Sequence, residues 1–283
     1  LGTSLEQTID GYTRSFTLHY IDWRNPANNV YHMADEFTVE RQHNRQTRRP
    51  DIVLFVNGLP LVVIECKRPG RKHAIQDAVQ QLNHYQQPGE IPGLFAHSQL
   101  LLALAQNQAR YATIDTAARF WSIWQEQHPD TQDAELAGLI NTPLSAADKQ
   151  HLFTDRDPEQ RATLEQLWST GDRLPTAQDR SLHGLCRPQR LLELINQFIV
   201  FDHRVKKIAR YQQYFAVQAT LARVTRARGD ERRPGGVIWH TTGSGKSLTM
   251  VMLAKALALE PHIPNPKILL VTDRVDLDAQ IFR

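Results

Sequence analysis

The sequence is short of cysteine, of net charge and of long apolar runs, and each shortage excludes something. Its 283 residues hold two cysteines, Cys66 and Cys186, too few for a disulfide framework or a four-cysteine zinc site, and nothing else points to secretion. A reducing cytoplasm is therefore the expected location. No apolar run approaches the ~20 residues of a membrane-spanning helix, and the N-terminus lacks a charged-then-apolar leader, so no membrane partner is expected. Lys and Arg number 33 against 30 Asp and Glu, a net charge of +3, which by itself says little about nucleic acid. The apolar fraction of 41% excludes disordered and fibrous classes. At roughly 100 to 200 residues per domain the length predicts about two domains. The chain opens on Leu1 and closes on Arg283 after an element that reads as unfinished, so a piece of a longer polypeptide is expected.

The N-terminal third alternates short apolar runs with polar turns, predicting strands at Phe16 to Ile21, Val30 to Met33, Ile52 to Val56, Leu59 to Ile64 and Leu100 to Ala105. Between them, Ile75, Ala78, Val79, Leu82 and Tyr85 recur at helical spacing over Ala74 to Gln87, and Pro88, Gly89, Pro92 and Gly93 end that helix. Trp121 and Trp124 are expected to pack a helix onto this region. From Glu126 to Arg190 the chain turns rich in Gln, Asp, Thr and Pro, which reads as a helical connector. An apolar stripe, Leu191 to Ile199, then precedes a basic stretch from Asp202 to Arg233. The last segment has a βαβ pattern: a strand at Val237 to Trp239, a Gly-rich turn, a helix from Lys246 to Leu259 and a strand at Ile268 to Thr272.

The run from His240 to Ser247 lies where that strand hands over to the helix, the setting of a phosphate-binding loop. Thr242, Gly243, Ser244 and Gly245 bend the backbone so that its N–H groups face a phosphate, aided by the helix N-terminus. Lys246 neutralises the β- and γ-phosphates of ATP, and the Ser247 hydroxyl completes a Mg²⁺ shell. His240 stands where the first glycine is usual. Upstream, Gln213 before an aromatic pair resembles the glutamine motif by which superfamily 2 helicase motors read adenine. Asp273 to Asp278 resembles a DNA-touching loop of the same motors.

A second constellation lies in the N-terminal third. Pro50-Asp51 opens an apolar strand, Asn57-Gly58 signals a hairpin, and the return strand ends in Glu65-Cys66-Lys67. Glu65 and Lys67 share a face because strand side chains alternate. A two-residue turn would put Asp51 on the other face. A three-residue loop with Gly58 in a bulge sets Asp51 opposite Val63 and diagonal to Glu65, so the bulged hairpin is predicted. Two carboxylates and the Cys66 carbonyl can then hold Mg²⁺, with Lys67 orienting or deprotonating a water for phosphodiester hydrolysis. The basic stretch Arg41 to Arg49 just upstream is a candidate for steering DNA phosphates. His84 and His97 read as ordinary core or surface histidines.

The segments Pro50 to Leu61 and Glu65 to Lys67 resemble the PD-(D/E)xK nuclease core of type I restriction enzyme R subunits. Gln81 and Tyr85, one helical turn apart, match the Q-x-x-x-Y element of related nucleases, and Trp239 to Met250 is similar to the ATP loop of the same subunits. The resemblance implies an α/β fold: a restriction-endonuclease-like mixed sheet flanked by helices over 1–125, a helical connector over 126–190, and the start of a RecA-like parallel α/β motor domain over 191–283. It implies catalytic Asp51, Glu65, Lys67, Gln81 and Tyr85, metal ligands Asp51, Glu65, Cys66 and Ser247, and Mg²⁺ and ATP as cofactors. The implied partners are double-stranded DNA and the modification and specificity subunits of a restriction complex. A helicase-nuclease of DNA repair and a non-catalytic DNA-docking, subunit-binding module are the alternatives.

Overall fold

A hairpin opens the chain: β1 (Gly2–Ile9) and β2 (Tyr12–His19) pair antiparallel across an Asp10-Gly11 turn, with every residue of both strands exposed. The computed structural model describes residues 2–226 and 233–271. After β3 (Tyr31–Asp35) comes a short pair, β4 (Val39–Glu40) with β5 (Thr47–Arg48), and then β6 (Ile52–Val56) and β7 (Leu59–Cys66). Helices α1 (Ala74–Tyr85) and α2 (Pro92–Phe95) lead to β8 (Leu100–Ala105) and β9 (Gln108–Ala112). These strands form one five-stranded mixed sheet in the order β3-β6-β7-β8-β9, antiparallel throughout except for β7 with β8. The single parallel pairing requires a crossover, which α1 and α2 provide.

The central strands are apolar on both faces because both are covered. On one face Val53, Val63, Leu101 and Ala103 pack against Ile75, Ala78, Val79, Leu82 and Tyr85 of α1. On the other, Val62, Ile64, Leu100, Leu102, Leu104 and Tyr111 meet residues that lie much later in the chain, including Leu185, Leu192, Phe198, Tyr214 and Met252. Every residue of β8 is buried. Truncating a fully enclosed side chain there, such as Leu102, costs about 2–5 kcal/mol.

The Gln- and Asp-rich stretch forms α3 (Pro129–Ile140), α4 (Ala146–Phe153) and α5 (Pro158–Ser169), with Ser145 and Asp157 capping the last two through their side chains. Helices α6 (Ala177–Cys186) and α7 (Pro188–Gln197) follow, and Thr176 with Asp179 makes a capping box on α6. Trp121 and Trp124 are both buried, but on an irregular segment rather than a helix. Trp121 joins the α1 face, whereas Trp124 packs edge-on against Tyr111 and Tyr214 on the other.

The C-terminal region differs from expectation in two places. Inside the basic stretch, β10 (Ile199–Asp202) and β11 (Val205–Ile208) pair as a hairpin before α8 (Tyr211–Val224). Of the expected βαβ unit, only the helix, α9 (Lys246–Leu259), is formed. Residues 233–241 and 268–271 have no strand structure, and Val237, Trp239, Leu269 and Val271 are each at least 80% exposed. A parallel strand needs neighbours beside it and cover on both faces, and among the described residues none flanks these segments. Thr272 and the run Asp273 to Asp278 lie outside the described residues.

Candidate active site

The β6–β7 hairpin brings Asp51, Glu65 and Lys67 together by a route other than the one predicted. The turn is the two-residue Asn57-Gly58, with φ of 50° and 81°, and it pairs Val56 with Leu59 and Phe55 with Pro60. The register then slips: Leu54 faces Val62, Val53 faces Val63 and Ile52 faces Ile64, leaving Leu61 as the extra residue of a bulge in the return strand. The predicted three-residue loop is therefore incorrect, and so is the pairing of Asp51 with Val63. Continuing the observed register sets Asp51 opposite Glu65, which restores the shared face. Asn57 explains the tight turn. It tolerates a left-handed backbone, and its side chain accepts from Val30 N at 2.7 Å and donates to Tyr20 O and Asn29 Oδ1, both at 2.8 Å.

At the rim the groups form one hydrogen-bonded chain. Asp51 Oδ2 accepts from the Cys66 N–H at 2.6 Å, which fixes its carboxylate against the return strand. Lys67 Nζ donates to Glu65 Oε1 and to Gln81 Oε1, each at 2.6 Å, and Gln81 Nε2 donates to Tyr85 Oη at 2.6 Å. The Lys67 N–H donates to Leu104 O at 2.8 Å, so the sheet itself holds the lysine backbone. Glu65 is 1% exposed and its Oε2 has no hydrogen-bond partner. Burial pushes its pKa from 4.5 up to about 7; Lys67 opposes this and the Asp51 charge adds to it. Burial, helped by the Asp51 and Glu65 charges, pushes the Cys66 thiol up to about 11, so this cysteine is no thiolate nucleophile. The Tyr85 hydroxyl is also raised, mainly by burial.

No group of three or more His, Cys, Asp and Glu side chains able to hold a metal occurs among the described residues. The donor set nevertheless fits a hard divalent cation. Two carboxylates face each other, and the unpartnered Glu65 Oε2 is a buried acceptor of the kind that an oxygen-seeking ion satisfies. Lys67, Gln81 and Tyr85 open on a groove of about 490 Å³ that is also lined by Arg48, Arg71, Asp77, Gln80 and His84; Asp51 and Glu65 are not part of its lining.

The basic stretch Arg41 to Arg49 is not the free steering loop expected. Arg41 and Arg48 both bind Glu90, a 5%-exposed carboxylate on the loop after α1, and this docks the β4–β5 hairpin beside the groove. Sequence reasoning missed Glu90 because it lies in a Pro/Gly loop with no periodicity. His84 sits 3.4 Å from the same carboxylate. His97 is exposed.

The second constellation is separate from the first. Gly243 and Gly245 adopt φ of 79° and 84°, and Gly245 precedes the first turn of α9, where Lys246 and Ser247 lie. Gln213 is 2% exposed. Its Oε1 accepts from Arg210 N at 2.8 Å, while its Nε2 donates to Ser244 O at 3.3 Å and Gly245 O at 3.0 Å. The amide thus holds the loop rather than standing free. A cavity of about 430 Å³ beside it is lined by Gln213, Gly243, Ser244, Gly245 and Leu248, together with Phe120 and Lys206; Thr242, Lys246 and Ser247 are not part of its lining.

Comparison with known proteins gives these sites a context. Residues 2–120 match the family model for the type I restriction enzyme R protein N terminus. The whole chain is 31% identical to the type I restriction enzyme HindI endonuclease subunit of Haemophilus influenzae, over 24% of that protein. The chain belongs to the type I restriction enzyme R protein family. A putative MjaIXP endonuclease subunit of Methanocaldococcus jannaschii is 27% identical over 99% of the chain and 25% of its own length. The SauCOLORF180P endonuclease subunit of Staphylococcus aureus is 26% identical over 93% of the chain and 23% of its own length. The chain therefore spans about a quarter of the length of these R-protein relatives. The R-protein match contains Asp51, Glu65, Lys67, Gln81 and Tyr85, and a separate match to the SWI2/SNF2 ATPase family, residues 212–283, contains Gln213 and the loop through Ser247. No helix among the described residues is long and apolar enough to cross a membrane.

Proposed function

We propose that this chain carries the DNA-cleaving centre and the nucleotide loop of a type I restriction complex, acting in the cytoplasm on double-stranded DNA with modification and specificity subunits as partners. Residues 1–125 form the nuclease part, 126–190 a helical connector and 191–283 the first part of an ATP-driven translocase. The observation that carries the nuclease role is the continuous chain from Glu65 through Lys67 and Gln81 to Tyr85, beside Asp51 and around an unsatisfied buried carboxylate oxygen. A group of this make-up has no structural reason to sit at a sheet rim, because facing carboxylates repel and burial raises the cost of ionising them.

The carboxylates of Asp51 and Glu65, with the Cys66 carbonyl, would hold Mg²⁺, which supplies Lewis-acid stabilisation of charge developing on the phosphate. Lys67, an ammonium fixed by Glu65 and Gln81, orients the attacking water, which loses its proton to solvent as its oxygen bonds the phosphorus; the bond to the leaving 3′ oxygen breaks and that oxygen is protonated from solvent. Gln81 and Tyr85 hold Lys67 in line from the groove side. At the second site, Thr242 to Gly245 cradle phosphates of ATP through backbone N–H groups, Lys246 neutralises them, and the Ser247 hydroxyl would complete a Mg²⁺ shell. Gln213 braces that loop and lies close to the cavity that suits the base.

The test is a pair of substitutions in the full-length protein within its complex. Lys67→Ala is expected to abolish DNA cleavage and leave ATP hydrolysis intact, and Lys246→Ala to abolish ATP hydrolysis. Retained cleavage in Lys67→Ala refutes the nuclease role.

A further inference from the structure

The cleavage centre is short of positive charge. Asp51 and Glu65 together outweigh Lys67, so without a cation the rim repels the phosphodiester it must receive. Two guanidiniums stand at the edge of the same groove: that of Arg71, which pairs with Asp77 at 2.8 Å, and that of Arg48, three residues before Asp51 and a lining residue together with Lys67, Gln81 and Tyr85. The orientation of Arg48 is fixed from behind. Glu90 accepts from Arg48 Nε at 2.7 Å and from Nη2 at 3.2 Å, while Arg41 Nη2 binds the same carboxylate at 2.8 Å. Glu90 also receives the Gln42 N–H on its backbone carbonyl at 2.8 Å, pinning the hairpin to the loop after α1.

Two arginines on one carboxylate leave the triad at +1. Arg48 Nη1 has only a long contact, 3.3 Å to Thr47 O, and the side chain keeps 29% of its surface exposed. A buried acid that grips a guanidinium through Nε and Nη2 leaves Nη1 as the free end of a planar fork, the shape that suits a phosphate oxygen. The groove is lined mainly by amides and cations, Gln80, Gln81, Arg48, Lys67 and Arg71, with Asp77 neutralised by Arg71, so it suits a sugar–phosphate backbone.

We infer that Arg48 binds a DNA backbone phosphate next to the one being cut, and that Glu90 is the residue positioning it. The inference rests on the proposed nuclease role. Arg41 fills the remaining side of Glu90, which keeps the acid neutralised while Arg48 faces the DNA.

The test uses the full-length protein, a short DNA duplex of arbitrary sequence, and Ca²⁺ in place of Mg²⁺ so that binding is read without cleavage. Arg48→Ala is expected to weaken binding roughly tenfold and to reduce the slope of log affinity against log salt by about one, the signature of one lost phosphate contact. Arg45→Ala, on the exposed tip of the same hairpin, is expected to leave the slope nearly unchanged. Glu90→Ala is the sharper variant. It makes the protein more positive, so a diffuse electrostatic role predicts tighter binding, whereas a positioning role predicts weaker binding. Arg48→Lys keeps the charge without the fork and is expected to restore the salt slope but not the affinity; because Glu90 stays paired with Arg41, both Arg48 variants read out the contact even where Glu90→Ala unfolds. An unchanged slope in Arg48→Ala, or tighter binding in a folded Glu90→Ala, overturns the inference. If Lys67→Ala still loses cleavage in that case, the nuclease role stands without Arg48; if the unaltered protein neither binds nor cuts duplex, both fall.

Discussion

Replacing Glu65 by Gln is expected to stabilise the metal-free protein at neutral pH while removing cleavage. The carboxyl is 1% exposed, with Oε1 bound to Lys67 and Oε2 unpartnered beside the Asp51 charge. Its pKa of about 7 in the folded chain against an ordinary 4.5 fixes the sign. Below pH 4.5 both folded and unfolded states carry the proton and Glu65 contributes no pH dependence. Between about 4.5 and about 7 the folded state holds the proton and the unfolded state has lost it, so stability falls as pH rises. Above about 7 both are ionised and the full cost is present, about 3 kcal/mol at about 1.4 kcal/mol per pH unit. A glutamine mimics the protonated acid: its oxygen still accepts from Lys67, and its amide places a donor where the orphan oxygen stood. Urea denaturation of the two proteins in chelator at pH 5 and pH 8 measures the effect. The variant should gain about 2–3 kcal/mol over the parent at pH 8 and much less at pH 5. Added Mg²⁺ should stabilise only the parent. A variant less stable than the parent at pH 8, or a difference independent of pH, would falsify the assignment of a strained, ion-seeking carboxylate.

Two further substitutions probe the framework of the site. Asn57→Ala removes three side-chain hydrogen bonds and a residue suited to a φ of 50°; with the turn exposed, a loss of about 2 kcal/mol is expected in denaturant titration, and Asn57→Gly, which keeps the backbone freedom, should lose less. Gly184→Ala on α6 would place a Cβ 2.5 Å from Trp124 Cδ1, so despite better helix propensity a net destabilisation of about 1–2 kcal/mol and a shifted tryptophan emission are expected; an equally stable variant refutes the tight packing of Trp124.

What could be read from the sequence follows how locally each element is determined. Strands β6, β7 and β8 and helix α1 show themselves because each carries a long apolar pattern whose burial alone decides its conformation, and their observed bounds lie close to those expected. Strand β9 and the β10–β11 hairpin are not visible in that way. Arg110 interrupts the first and Lys206-Lys207 the second, and both are strands because of what they pair with. The opposite failure occurs at Val237 to Trp239 and Ile268 to Val271, where the local pattern favours a strand but no neighbour is present among the described residues. At the candidate site the residue types and their spacing were legible in the sequence, whereas the Leu61 bulge was not, since its position depends on how Pro60 and the neighbouring β8 accommodate the strand. Arg48 and Glu90 lie 42 positions apart, and no local rule connects them.

The bulge matters because a strand pair has only two faces, and one residue of register decides whether two acids meet or lie on opposite sides of the sheet. With strict pairing from the Asn57-Gly58 turn, Glu65 would point away from Asp51 and into one of the apolar layers, where an unpaired carboxylate is costly. Moving it to the face it shares with Asp51 exchanges that cost for like-charge repulsion, which Lys67 partly cancels and a bound cation can cancel fully. The surrounding core explains why the fold tolerates the remainder. Val62, Val63 and Ile64, immediately before Glu65, are at most 1% exposed, and Leu101 to Leu104 lie beside them fully buried. This continuous apolar strip fixes the register tightly enough that the acids cannot relax by slipping apart. The stability of the sheet and the strain at its rim therefore come from the same few residues of β7.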